Sequence, residues 1–332
     1  MGTRARQGVW VAGIVCVLAI IAIGASPGLS AAPDFPQKGR PITIIVPNAP
    51  GGINDMTARL VAPIMEKEFG TPVQVVNKPG AATLLGLTEV ALAKPDGHTL
   101  LVLGLGNLTA YLDPDRNAAP QVRELQPVAA HNVDVGAVVV NAQSPYRTVK
   151  ELVDAAKATP AGLKAATDGL LGSDHLASLQ FMQKTGTSFK LVHFDGGGPA
   201  TTAVAGGHVD VRIGKVGSVY AMTKSGKVRV IGVTDKRRSK YAPDTPTMEE
   251  QGWPNYTYYN YTGFAAPKGT PRAIVDAVSR VVQKAVESEE AKKRLDGVAL
   301  IGQFMGPEEF TALWKNMEAT IEPLLREAKK QQ

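Results

Sequence analysis

Ile44-Ile45-Val46-Pro47-Asn48-Ala49-Pro50-Gly51-Gly52-Ile53-Asn54-Asp55 reads as a short buried strand that stops at Pro47 and turns through Pro50-Gly51-Gly52 into a helix. Proline cannot donate to a sheet ladder, so Pro47 marks the strand's end. Two consecutive glycines let the backbone take φ > 0 and approach a ligand closely. Asn54 or Asp55 is the expected cap of a helix whose apolar positions are Met56, Leu60, Ile64 and Phe69. Strand end, glycine turn and helix start together gather free N–H groups at one spot, which favours an anion. An ordinary tight strand-to-helix turn would look the same from these residues alone.

The same alternation continues along the chain. Strands are expected at Ile42–Val46, Val73–Val76, Thr99–Leu103, Val133–Val140, Leu191–Phe194, Val209–Ile213 and Val228–Thr234. Helices are expected at Asn54–Phe69, Leu84–Ala93, Thr148–Ala158, Asp174–Thr185, Pro199–Ala205, Pro271–Ser288 and Pro307–Lys329. Thr148-Val149-Lys150-Glu151 has the form of a capping box. Pro63 falls inside the first helix and predicts a bend there. Interleaved strands and helices argue for an α/β fold on mostly parallel sheets, with ligands bound outside the carboxyl ends of the strands.

Arg4 and Arg6 precede an apolar run from Val9 to Ile23, and small residues follow through Ala32. This is the layout of a secretory signal peptide over residues 1–32, too short in its apolar part for a typical membrane span. Export would place the protein in the periplasm, across the inner membrane. The single cysteine, Cys16, lies in that run, so the mature chain carries no thiol for a disulfide, a metal or nucleophilic catalysis. Removing the two signal arginines lowers the formal charge from +6 to about +4, too mild a balance to argue for nucleic acid.

PNAPGGINDMTARL, VVNKPGAATLLG, KPDGHTLL, GSDHLA, HFDGGGPA, AGGHVDV, SGKVRVIGVTDKRR, PDTPTMEEQGWP and AAPKGTP follow one another in this order. The series resembles the TctC/Bug family, the extracytoplasmic solute-binding proteins of tripartite tricarboxylate transporters, from about Arg40 to the C-terminus. The resemblance implies a periplasmic binding protein type II fold: two α/β domains with a ligand cleft between them. The first crossing is expected near Val138–Ala142 and the return near Tyr258–Gly263. Domain 1 would then be 38–140 plus 258–332, and domain 2 would be 141–257. It implies a monomer without cofactor or metal, a small organic carboxylate as ligand, and the membrane subunits of such a transporter as partners.

In the family, the loop equivalent to Pro47–Asp55 wraps one ligand carboxylate, mainly through backbone N–H groups and ordered water. Gly51, Gly52, Ile53 and Asn54 match that loop, and Asp55 matches its acidic position. Asn48 stands where the family usually has an aromatic residue, which exchanges an apolar lid for an amide. In the loop after the third strand, Gly106 and Asn107 are the candidates, Asn107 as a side-chain donor. Ala166–His175 resembles the family's glycine–serine loop with altered spacing. Thr167 and Ser173 offer hydroxyls there, and Gly172, Ser173 and Asp174 offer helix-start N–H groups. Asp168 would repel a carboxylate, so it is expected to face solvent or to meet an ammonium group. His175 reads as a packed, hydrogen-bonded residue. Phe194 could form an apolar wall, with Gly196 beside it.

Arg212 and Lys215 are two cations near a strand's carboxyl end, which suggests a second ligand carboxylate and hence a dicarboxylate. The competing reading pairs Arg212 with Asp210 or a helix acid. Two functions fit this pocket: delivery of a carboxylate to a transporter, or presentation of a ligand to a two-component receptor kinase. No GxSxG, HExxH or Walker pattern occurs, and an enzyme is not expected.

Overall fold

The computed structural model describes residues 35–108, 112–113, 123 and 125–330, and the expected signal peptide with Cys16 lies outside the described residues. β1 (Ile42–Val46) runs parallel between β2 (Val73–Asn77) and β3 (Thr99–Gly104). Their crossovers contain α1 (Ile53–Phe69) and α2 (Leu84–Ala91). A second parallel set has β5 (Lys164–Thr167) between β6 (Lys190–His193) and β7 (Val211–Lys215). It is accompanied by α3 (Val149–Ala158), α4 (Ser173–Thr185), α5 (Gly197–Ala205) and α6 (Val216–Lys224).

The two sets meet on β4 (Gln126–Asn141), a strand of 16 residues that is antiparallel to every strand it pairs. Up to Val135 it pairs β9 (Tyr259–Ala266) and β10 (Ile301–Met305); from Gly136 it pairs β7 and β8 (Val228–Val233). At the change of partners the Gly136 N–H donates to the Tyr258 carbonyl at 2.9 Å and its own carbonyl accepts from Thr234 N–H at 2.9 Å. A Cβ at Gly136 would lie 2.9 Å from the Tyr258 backbone, so this close crossing of chains needs glycine. The chain closes with α7 (Arg272–Glu287), α8 (Glu289–Gly297) and α9 (Pro307–Lys330).

Side-chain alternation along the strands builds a core on each face. Ile42, Ile44 and Val46 of β1 pack with Ala58, Val61 and Met65 of α1 and with the Ile274, Val278, Val281 and Val282 stripe of α7. Ile45 faces the other way, among Leu87 and Val90 of α2 and Phe310, Trp314 and Ile321 of α9. β4 repeats this beyond Gly136: Val138 and Val140 join Leu152 of α3 and Phe181 of α4, while Ala137 and Val139 join Val204 of α5 and Val219 of α6. Each such buried aliphatic side chain contributes roughly 1.5–3 kcal/mol.

The α/β class stands, but the centre of the sheet is antiparallel where a mostly parallel one was expected, because the chain passes through it in both directions on β4 and β9. The Thr148–Glu151 capping box is present, and α1 continues through Pro63. Among the described residues, β5, β9, β10, α6 and α8 were not foreseen, nor were the 3-10 turns Ala81–Thr83 and Leu105–Leu108. β5 is only Lys-Ala-Ala-Thr, and α6 starts at Val216 with no linker after β7.

Candidate ligand cleft

Loops at the carboxyl ends of β1, β3, β5 and β6 converge on a cleft of about 440 Å³. Asn48, Gly52, Ile53, Asn54, Gly106 and Asn107 form one side of its lining. Asp168, Gly172, Ser173 and Gly196 come from the other parallel set. Thr83, Gly104, Gly169–Leu171, Gly197 and Asn260 also line it and were not among the candidate residues, though Gly169–Leu171 lie in the expected glycine–serine loop. Asn260 lies on β9 inside a run of tyrosines that reads as packing; the polar residue between Tyr259 and Tyr261 was the available signal.

Glycine caps three of the helices whose N-termini reach this space. Gly52, Gly172 and Gly196 are the N-cap residues of α1, α4 and α5, and none makes a side-chain cap bond. The cap of α1 is therefore Gly52, not Asn54 or Asp55 as expected from the sequence. Gly51, at φ 87°, completes the turn, and the Asp55 carboxylate reaches back to accept the Gly51 N–H at 2.9 Å. Asp55 also accepts from Arg59 Nε at 3.1 Å and Asn77 Nδ2 at 3.0 Å. Burial pushes its carboxyl up, yet these bonds together hold it below the usual carboxylate range. Asp55 and Gly51 thus fold the loop and do not line the cleft.

Across the cleft Asp168 is turned into its own loop. Its Oδ1 accepts the Asp174 N–H at 2.9 Å, and its Oδ2 accepts the Ser173 hydroxyl at 2.6 Å. It serves as an acidic partner of the α4 N-terminus, where a carboxylate is favoured. Asp174 itself is fully buried and points the other way, accepting from Arg212 Nε at 2.8 Å and from Lys215 Nζ at 2.7 Å. Burial opposes its ionisation, but the two cations hold its carboxyl below the usual range. Lys215 Nζ also donates to Ser173 Oγ at 2.6 Å, and the Asp174 and Asp168 charges outweigh burial to raise its ammonium's pKa. Arg212 is fully buried and donates further to Thr201.

Arg212 and Lys215 are therefore absent from the described lining of the cleft, as is Asp174. The helix acid that Arg212 meets is Asp174, whereas Asp210 accepts the Lys164 N–H at 2.7 Å. Thr167 is buried and bonds the His193 ring at 2.7 Å, and Phe194 packs among partly buried residues of the core under α5; neither lines the cleft. His175 accepts the Leu171 N–H at 2.9 Å, and burial pushes its pKa down to about 4, so it is a neutral structural residue at pH 7. Among the described residues, no group of three or more His, Cys, Asp or Glu side chains is placed to hold a metal ion. No described helix is long and apolar enough to cross a membrane.

What this arrangement offers chemically is a set of N–H donors around a partly open cleft. The family model for the tripartite tricarboxylate transporter family receptor matches residues 57–309. A protein from the tcbD–tcbE intergenic region of Pseudomonas sp. strain P51 is 33% identical, over 85% of this chain and 84% of its own. BugT of Bordetella pertussis is 30% identical, over 82% of this chain and 85% of its own. A TctC solute-binding protein from Polaromonas superposes with a TM-score of 0.75 at 29% identity, covering 88% of this chain and 99% of that one. MatC of Rhodopseudomonas palustris, solved with bound malate, gives 0.75 at 28% identity over 87% of this chain and 99% of that one.

Proposed function

This chain belongs to the tripartite tricarboxylate transporter receptor family, and from that premise we propose that it captures a small organic carboxylate and delivers it to the membrane subunits of such a transporter. The family is one of solute-binding receptors and not of enzymes. The observation that carries the ligand class is the convergence of three glycine-capped helix N-termini, at Gly52, Gly172 and Gly196, on one cleft. First-turn N–H groups and the positive ends of helix dipoles favour an anion without a formal cation, although at α4 Asp168 already takes the Asp174 N–H.

Capture works by closure of domain 1 (38–140 plus 258–332) on domain 2 (141–257), driven only by contacts that are better in the closed state. The exchange of β4 partners at Gly136 supports a hinge at that crossing. Dicarboxylates are the first class to test, supported by malate in MatC. Arg212 and Lys215 no longer support that choice, because Asp174 holds both. The protein acts as a monomer in the periplasm after loss of its signal peptide. Gly51, Asp55, Thr167, Asp174, Arg212 and Lys215 shape and brace the loops, and Gly52, Ile53, Asn54, Gly106, Gly172 and Ser173 meet the ligand.

A thermal-shift screen of the mature protein against mono-, di- and tricarboxylates tests this. A ligand that binds the native state alone raises Tm, by an amount that grows with its concentration above Kd. A rise with one carboxylate class supports the reading, and no rise with any carboxylate at millimolar concentration overturns it.

A further inference from the structure

We infer that Asn48, Asn107 and Asn260 form a donor-only amide cluster that reads an uncharged oxygen on the ligand, so that the cleft takes hydroxy- or oxo-carboxylates and rejects the corresponding amino acids. The inference rests on the carboxylate reading above and adds the ligand's second functional group.

The orientation of each amide follows from backbone donors that cannot be reversed. Gly104 N–H donates to Asn107 at 3.1 Å, so the atom it meets is Oδ1 and Asn107 Nδ2 is turned away from it. Asn54 lies 3.3 Å from that same Oδ1 and must present Nδ2. The Asn54 Nδ2 also meets Asn48 at 2.6 Å, which makes the contacting atom of Asn48 its Oδ1. Independently, Gly106 N–H donates to Asn260 at 3.1 Å and fixes Oδ1 there too. Three carbonyl oxygens are thus occupied inside the protein, and the Nδ2 groups of Asn48, Asn107 and Asn260 are left over on residues that line the cleft.

The carboxylates nearest the cleft already accept bonds from the protein. Asp168 is the charged side chain among the described lining residues, and both its oxygens accept from the α4 start, with Lys215 Nζ 3.7 Å away. Asp55 spends its oxygens on Gly51, Arg59 and Asn77. Three leftover NH₂ groups complement a carbonyl or hydroxyl oxygen, and they leave an ammonium desolvated and unpaired.

The test is calorimetric titration of the mature protein with matched sets: succinate, malate, oxaloacetate and aspartate; glutarate, 2-hydroxyglutarate, 2-oxoglutarate and glutamate; propionate, lactate, pyruvate and alanine. The expected order within a set that binds is hydroxy or oxo at least roughly tenfold tighter than unsubstituted, with the amino acid weakest. Asn260→Asp keeps an oxygen for Gly106 N–H and replaces Nδ2 by an acceptor, so it should shift the preference toward the amino acid. Amino acids bound as tightly as their hydroxy or oxo partners by the wild type overturn the inference and leave the carboxylate reading intact. Absence of binding by every acid in all sets overturns the carboxylate reading and this inference with it.

Discussion

Arg212 donates Nε to the Asp174 carboxylate at 2.8 Å, and both side chains are fully buried. Lys215 shares that carboxylate from the opposite side and reaches on to Ser173. The ions form a brace from β7 to the first turn of α4, holding the N–H groups of that turn toward the cleft. Burying the brace costs desolvation, so its removal as a whole would be mild, whereas removing one member strands a charge. Asp174→Asn leaves the buried Arg212 guanidinium without its carboxylate and should destabilise the fold by about 3–5 kcal/mol. Urea unfolding followed by circular dichroism measures this, and a midpoint unchanged from wild type would count against the brace.

Asp134 gives the stability a pH dependence of unusual sign. It is buried on β4 just before the change of partners, and its Oδ1 accepts the Gly217 N–H at 2.9 Å while Oδ2 has no partner. Burial pushes its carboxyl from 3.8 up to about 7, against the Gly217 bond and the Lys215 charge. The folded state therefore holds this proton more tightly than the unfolded chain. Ionisation costs stability progressively from about pH 4 to about pH 7, and the full cost is present above that. Asp134→Asn should change stability relative to wild type more favourably at pH 8 than at pH 5, by on the order of 2 kcal/mol. His131, pushed down to about 4 by burial, has the opposite slope in both proteins and cancels. Equal differences at the two pH values would refute the assignment.

Asp55 follows the ordinary carboxylate sign. Its folded-state pKa lies below its unfolded value of 3.8, so its contribution is present above that pH and is lost as pH falls through the folded value. Asp55→Ala removes the acceptor of the Gly51 N–H and should cost about 1–2 kcal/mol at pH 7. The deficit should shrink in acid, which urea midpoints at pH 7 and pH 3 would reveal. A deficit constant across that range would place the stabilisation in packing and not in the charge.

What could be read from the sequence divides along a physical line. β1, its glycine turn and α1 were legible because Pro47, Gly51-Gly52 and the apolar spacing act over a few residues. The cleft glycines followed from the same local chemistry. That Arg212 could pair with a helix acid was legible, but which acid, and that Lys215 would share it, was not, since Asp174 lies 38 and 41 residues from them and only the fold brings them together. Asn260 was hidden for the same reason: its partner, Gly106, lies 154 residues away. Short β5 and linker-free α6 lack the length and punctuation that periodicity needs.

Gly106 lies where loops from the two parallel sets touch. A Cβ built there would sit 2.9 Å from the Ser173 Cβ and 3.2 Å from Asn260 Oδ1, closer than packed atoms tolerate. Gly106→Val would act as a wedge between the β3 loop and the start of α4. The cores on both faces of each sheet do not include this position, so the folded halves should survive and only their approach should suffer. Ligand contacts that need both sides would be lost together, because closure is stabilised by contacts made in the closed state alone. The expected result is at least a roughly tenfold weaker Kd for whichever carboxylate raises the Tm of the wild type, with a near-native far-UV spectrum. Undiminished affinity would mean that the ligand is held from one side only, and that the touching loops at Gly106 and Ser173 have no part in its capture.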